Sequence, residues 1–388
     1  KLPKPFFALA PMANVTDCVF RKLIAKYGKP DVFWTEFVSA DGLVSEGRDK
    51  LLVDLKFSKN EKPIVAQLFG ANPEKMFEAA KMIRKLKFDG LDINMGCPDR
   101  AVEKSGGGAA MIKTPKRAIG IIETVKNAGI PVSVKTRLGY NKVDWEWIEL
   151  LLGQKLPALT VHLRTRKEMS KVPADWEAMR KIVRLREEIS PDTLIIGNGD
   201  VISLEDGLEK SKKYGCDGIM IGRGIFGKPW FFEDLKLSNL RCPRPLGDNN
   251  PPSRRKLLAD DCSRLRATAD AITTIAAPGA DTSRSEPYQR VAIGSRREGV
   301  GDGRGFSSEK LSDKKKTNEQ RLKIMLEHAK SFSKSFKGIK NFDTMKKHFK
   351  AYVSGWDGAK ELRVKLMEAG DYQEVEEVVD EYLRTCEA

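Results

Sequence analysis

The sequence predicts an α/β fold, a (β/α)8 TIM barrel followed by a small C-terminal helical bundle. Three observations carry this. Eight short apolar runs rich in β-branched residues alternate with amphipathic stretches over residues 6–235. Nearly every run ends in polar residues that a core strand would not choose, as a barrel enzyme's strands do at their carboxyl ends. Residues 318–388 carry only helical periodicity. A doubly wound open sheet shares the alternation and is the competing architecture.

The runs, in order, are Phe6–Met12, Val32–Ala40, Ile64–Gly70, Gly90–Cys97, Val132–Leu138, Leu159–Arg164, Thr193–Gly199 and Ile219–Gly224. Between them lie stretches such as Pro73–Leu86, which opens on Asn-Pro and sets Met76, Ala79, Ala80, Ile83 and Leu86 on one face. The polar run ends are Pro11-Met12, Gln67, Asn94 with Cys97, Lys135 with Arg137, His162 with Arg164, Asn198 with Asp200, and Gly222-Arg223. In a barrel they form one ring. Any one has a plain packing explanation, but their recurrence at equivalent positions does not.

Cys97 is the sharpest of these. Gly96 permits a sharp exit and Pro98 cannot continue a ladder, so the thiol should project from the strand end as a candidate acid. After the seventh and eighth runs, Gly197-Asn198-Gly199-Asp200 and Gly222-Arg223-Gly224 read as a phosphate site, with backbone N–H groups, an arginine fork and a helix amino terminus beyond. No G-x-G-x-x-G follows an early strand. A mononucleotide such as FMN therefore fits better than a Rossmann dinucleotide.

The chain has 388 residues and a formal net charge of +15, with a pI near 9.4. Together with ordinary hydrophobicity, this points to a folded protein with a polyanionic partner, nucleic acid ahead of an anionic membrane surface. No apolar stretch is long enough to span a bilayer, and Lys1-Leu2-Pro3-Lys4 has no signal-peptide core, so a cytoplasmic location is expected. The first residue is not Met, so the chain can be a trimmed one. Cysteines at 18, 97, 216, 242, 262 and 386 form no C-x-x-C pair, and neither a disulfide framework nor a metal site is expected.

In the carboxyl-terminal part, Leu322, Met325, Leu326, Ala329, Phe332 and Phe336 make one apolar stripe, and Phe342, Met345, Phe349 and Val353 another. Two helices follow, centred on Leu362/Leu366 and Val375/Val379/Leu383, with Gly370 between them. The opposite faces are expected to carry Lys323, Lys330, Lys334, Lys346, Lys347, His348 and Lys350. Residues 241–310 differ in kind. They hold eleven arginines against two lysines, and only Tyr288 and Phe306 as aromatics. This stretch is expected to be a disordered insertion, acquired or arising from a frame change. An arginine-rich RNA-binding linker is the alternative. The boundaries are thus 1–240 for the barrel, 241–310 for the insertion and 311–388 for the helices.

With these residues in view, the chain resembles the tRNA-dihydrouridine synthases. The motifs are Ala10-Pro11-Met12-Ala13 with Thr16-Asp17, Gln67 in Ala-Gln-Leu-Phe-Gly, the Asn94/Cys97 segment, Lys135-Thr136-Arg137, His162 with Arg164-Thr165-Arg166, Asn198–Asp200 and Gly222-Arg223. The resemblance implies FMN contacts from Pro11, Met12, Ala13, Gln67, Lys135, His162, Asn198, Gly199, Asp200, Gly222 and Arg223. It implies Cys97 as proton donor, NADPH as a transient reductant, and tRNA gripped by the helical bundle. Asn94, Lys104, Arg137, Arg164, Arg166, Lys347, His348 and Lys350 are the candidate substrate contacts, and a monomer is expected. Three positions depart from the family: Asn14, often Gly; Leu163, usually small; and the Ser105–Gly108 variant of a glycine-rich loop.

The chemistry follows from uracil itself. Hydride added at C6 leaves enolate character at C5 and O4, and an acid must then protonate C5. A thiol of ordinary pKa, about 8.5, is still protonated at neutral pH. A target uridine must also leave its stack to be reached. Two other readings remain open: an FMN barrel reducing a free metabolite, as dihydroorotate dehydrogenases do, and a non-catalytic tRNA-binding protein on a retired barrel.

Overall fold

The computed structural model describes residues 2–236 and 316–387. The arginine-rich stretch 241–310, with the expectations attached to it, lies outside the described residues. The strands are β1 (Phe6–Leu9), β2 (Phe33–Ser39), β3 (Ile64–Phe69), β4 (Gly90–Met95), β5 (Val132–Arg137), β6 (Ala158–His162), β7 (Leu194–Asn198) and β8 (Gly218–Ile221). All neighbours are parallel, in the order β1-β8-β7-β6-β5-β4-β3-β2. The sheet then closes: Ala8 bridges Val32, and Leu9 N–H donates to the Val32 carbonyl at 3.1 Å. An open doubly wound sheet would leave its first strand without its last, whereas here β1 pairs β8 from Phe6↔Gly218 to Leu9↔Ile221. The fold is a TIM barrel.

Each strand is shorter at its carboxyl end than its apolar run predicts, for a local reason. Met12 N–H turns from the ladder to the Thr16 hydroxyl at 2.9 Å. Gly96 and Cys97 N–H groups turn to the Asn94 side chain. These ends become loops because their donors find closer partners than the next strand.

Outside the barrel lie α1 (Cys18–Tyr27), α2 (Pro73–Lys85), α3 (Pro115–Lys126), α4 (Trp145–Leu152), α5 (Glu177–Ile189) and α6 (Leu204–Tyr214). α2 starts as its sequence predicts, with the Asn72 side chain accepting from Lys75 N–H and Pro73 at the first position. It buries Met76, Ala79, Ala80 and Ile83 against the sheet. After β2 come two short helices, Ala40–Leu43 and Arg48–Leu52.

The helical part comprises α7 (Asn318–Phe336), α8 (Lys346–Tyr352), α9 (Ala359–Glu368) and α10 (Tyr372–Glu387). α7 opens on a capping box between Thr317 and Gln320. It packs on α1 of the barrel, where Glu327 accepts from Lys26 and Tyr27. Gly227 marks how close the barrel comes to α8: at φ 66, any Cβ there would collide with the Ala351 carbonyl oxygen. The described barrel and helices belong to one compact unit, and among the described residues no helix is long and apolar enough to cross a membrane.

Candidate active site

The carboxyl ends of the strands open into a cavity of about 760 Å3. β1 leads to Pro11 and Met12, β3 supplies Gln67, and β4 leads through Asn94 to Cys97. Lys135 and Arg137 come from β5, with His162 and Arg164 at the end of β6. Asn198, Gly199 and Asp200 follow from β7, Gly222 and Arg223 from β8. The ring of polar strand ends is therefore one site. Phe37, Ser170, Val201, Ile202 and Met220 also line it and were not picked out from the sequence. Phe37 and Met220 fall inside predicted strands rather than at their polar ends, so nothing in the sequence marked them.

A buried hydrogen-bonded chain sits under the cavity floor. Ser133 Oγ donates to Asp92 Oδ1 at 2.5 Å and Gln67 Nε2 to Asp92 Oδ2 at 2.6 Å. Asn94 Nδ2 donates to Gln67 Oε1 at 2.8 Å. Asn94 Oδ1 then accepts from Gly96 N–H at 3.1 Å and Cys97 N–H at 2.9 Å. Both amide ends of Asn94 thus have protein partners, so it positions the Cys97 loop while its side chain also lines the cavity. Gln67, likewise, turns both ends of its amide to protein partners. Burial pushes Asp92 up to about 6, against the pull of Gln67, Ser133 and Lys135.

Across from Cys97, Gly108 adopts φ 57, and a Cβ there would meet the Cys97 carbonyl oxygen at 2.7 Å. The glycine-rich variant loop thus lies directly against the cysteine, with Ala109 N–H donating to the Cys97 carbonyl at 2.9 Å. Burial raises the thiol pKa, so Cys97 stays protonated at neutral pH. Lys135 donates to Asn198 Oδ1 at 3.1 Å, and burial brings it down to about 8, helped by Arg137. His162 is held well below its usual value by burial and by the cations around it. Arg164 Nη1 lies 3.1 Å from His162 Nε2. Because arginine can only donate, Nε2 accepts and the imidazole proton sits on Nδ1.

Two expected rim cations are struts instead. Arg137 is 6 % exposed and donates to the carbonyls of Gly96, Thr165 and Met169. Arg164 is 2 % exposed, donates to the Val172 carbonyl at 2.6 Å and pairs with Asp200. Their guanidinium groups shape the loop after β6, so neither is an open RNA contact. Asp200 also accepts from Arg223 Nη2 at 2.9 Å, so its carboxylate orients the arginine. Immediately past β8 the described residues form 3-10 turns, Arg223–Ile225 and Glu233–Lys236, where a helix amino terminus was expected.

The remaining candidates lie apart from the cavity lining. Ala13 is exposed beside the cavity, not in it. Arg166 is half-buried and forked on Glu103, with Nε 3.0 Å from Oε1. Lys104, Lys347 and Lys350 are exposed. His348 is not: at 1 % exposure it packs among Phe20, Phe226 and His328, which corrects its assignment as an RNA contact. It falls on the apolar stripe of α8 with Phe349 and Tyr352.

A family model described as dihydrouridine synthase (Dus) matches residues 8–248 of the chain. The probable tRNA-dihydrouridine synthase of Staphylococcus aureus (strain COL) is 48 % identical over 236 residues, covering 60 % of this chain and 72 % of that one. The probable tRNA-dihydrouridine synthase 2 of Bacillus subtilis (strain 168) is also 48 % identical over 236 residues, covering 60 % and 73 %. A solved histamine dehydrogenase from Rhizobium sp. 4-9 is similar at a TM-score of 0.45 and 13 % identity, covering 61 % of this chain and 46 % of that one; nothing about function follows from it.

Proposed function

The chain belongs to the dihydrouridine synthase family, and from that membership we propose that it reduces the C5=C6 bond of uridines in tRNA, with FMN in the strand-end cavity and NADPH as reductant. It acts in the cytoplasm as a monomer. The observation that carries the reading is Cys97, a protonated thiol fixed at the edge of a cavity whose other walls carry Lys135, His162 and Arg223.

The residues present fit the flavin. A cavity of about 760 Å3 lies within the range of about 300–1,000 Å3 usual for small-ligand sites. At Gly222 the nearest atoms to a Cβ would be Ala10 Cβ and Met12 Sδ, both 3.9 Å away, so backbone is open to a ligand there. Arg223 and Gly199 would hold the phosphate, and Lys135 and neutral His162 the ring's electron-rich edge. When bound, the flavin supplies hydride to C6 of uracil.

The chain's own residues do the rest. Cys97 Sγ gives its proton to C5 of the uracil as negative charge develops at C5 and O4, and the Sγ–H bond breaks as the C5–H bond forms. Asn94 keeps that thiol in place through the two loop amides. Lys135 carries a positive charge toward the same region, which lowers the energy of the developing anion. Exposed Lys104, Lys347 and Lys350 offer phosphate contacts that offset the cost of unstacking the target, about a few kcal/mol.

The test is direct. The purified protein is scanned for a flavin spectrum, then incubated with NADPH and dihydrouridine-deficient tRNA, and nucleosides are read by mass spectrometry. A flavin spectrum and a uridine gain of two mass units, the two hydrogens added, are expected. Flavin without that gain would move the activity to a small-molecule reductase, and RNA binding without flavin to a retired barrel.

A further inference from the structure

A cluster of charged side chains lies between barrel and helices and reaches the cavity wall at one point. Its centre is Glu36, 4 % exposed, in β2. The register of β2 on β3 shifts between Trp34 and Phe37, so one extra residue bulges out at Thr35-Glu36. Such a bulge re-aims a side chain. Glu36 Oε1 accepts the backbone N–H of Asn14, and Oε2 accepts Lys340 Nζ at 3.2 Å. Lys340, from the segment after α7, also pairs with Asp54 Oδ1 at 2.7 Å.

Asn14 belongs to the loop that carries Pro11 and Met12 into the cavity, and it adopts φ 55. That left-handed conformation suits Asn or Gly, which accounts for Asn where the family often has Gly. The loop is also held by Met12 N–H to Thr16 Oγ1 at 2.9 Å, by Ala10 N–H to the Ile221 carbonyl at the end of β8 at 2.8 Å, and by Arg21 Nη1 to the Thr16 carbonyl at 2.7 Å. Its bond to Glu36 is the tie that reaches β2 and, through Glu36, the helical part. A buried carboxylate keeps such a bond as an anion only when a cation compensates it. Lys340 is that cation, and it comes from outside the barrel. Asp17 and Lys347 face the same cluster.

We propose that Lys340 is a positioning residue for the flavin site: by neutralising Glu36, it holds the Asn14 loop in the shape that lets Pro11 and Met12 line the cavity. This rests on the flavin reading above. FMN affinity thereby depends on a residue of the helical part.

The experiment titrates FMN into the full chain and follows quenching of flavin fluorescence. Lys340→Met is expected to weaken FMN binding about tenfold, within the range of coupling between residues of one ion-pair network. Lys340→Arg keeps the charge and stays within about twofold. In Lys340→Met/Glu36→Gln the neutral amide still accepts from Asn14 and needs no cation, so binding returns to within about threefold of wild type. Asp54→Asn, which loosens Lys340 without touching the loop, stays within about twofold. Unchanged binding by Lys340→Met, or a double variant no better than the single, overturns the proposal, as does Asp54→Asn weakening FMN as much as Lys340→Met. Should Lys340→Met fail to fold, Glu36→Ala, which removes the acceptor itself, must weaken FMN equally. A wild type that binds no FMN overturns the flavin reading and this proposal with it; wild-type binding with an unaffected Lys340→Met overturns this proposal alone.

Discussion

Two buried polar clusters in this molecule are built on opposite terms. Under the cavity, Ser133, Asp92, Gln67 and Asn94 bond one to the next and end on the Cys97 loop. Between α1, α7 and α8, His328 stacks on Phe20 and His348 lies tilted against it, each at a ring-centroid distance of 4.9 Å, and three of the histidines' four ring nitrogens lack a partner among the described residues. A saturated chain fixes where its atoms sit, and an unsaturated pair fixes little by hydrogen bonding. Damage to the first should therefore appear in chemistry, and damage to the second in stability and its pH dependence.

The largest effect belongs at the end of the saturated chain. Cys97→Ala should leave the flavin spectrum intact and slow dihydrouridine formation by about 10²–10⁴-fold, the usual scale for loss of a general acid. Full turnover by that variant would remove Cys97 from the mechanism. One step back, Asn94→Ala frees the Gly96 and Cys97 amides and should slow single-turnover reduction by about 10–100-fold. Asn94→Asp, which keeps the acceptor for the two loop amides but loses the donor to Gln67, should recover only part of it. If both variants reduce tRNA at the wild-type rate, the chain is packing and not positioning.

The contrast also marks what was legible in the sequence. Eight strands, their order and Cys97 were readable because apolar alternation and a Gly-Cys-Pro strand exit report backbone geometry directly. Arg137 and Arg164 were read as rim cations, since nothing in a sequence separates an arginine forked on carbonyls from one open to phosphate. His348 was misplaced by its lysine neighbours, although its spacing of three from Met345 already put it on the buried stripe. Glu36, a charge inside the apolar run Val32–Ala40, was not picked out from the sequence. Its meaning needed Lys340, some 300 residues away in sequence.

The histidine pocket makes its own prediction. Burial lowers His328 to about 3 and His348 well below its usual value, while both titrate near about 6.5 when unfolded. Below that pH the unfolded chain binds protons that the folded chain refuses, so stability is lost as pH falls, by up to about 1.4 kcal/mol per pH unit for each histidine. Denaturant unfolding at pH 7.5 and at pH 5.5 should show that loss, and His348→Phe should shrink it. A variant with the wild-type slope would mean that the pocket takes up protons without opening.

The smallest effect separates two residues of the same short helix. Lys350 is exposed and His348 is buried two positions earlier. Lys350→Ala should weaken tRNA binding a few-fold and flatten its salt dependence by about one counterion, as loss of a single phosphate contact does. His348→Phe keeps every surface charge and should leave that salt slope unchanged, even where its acid stability differs. The reverse pattern would mean that α8 turns when it meets RNA and brings the histidine outward. Equal slopes for wild type and both variants would take α8 out of the RNA interface, and leave Lys104 near the cavity loop as the exposed cation to examine next.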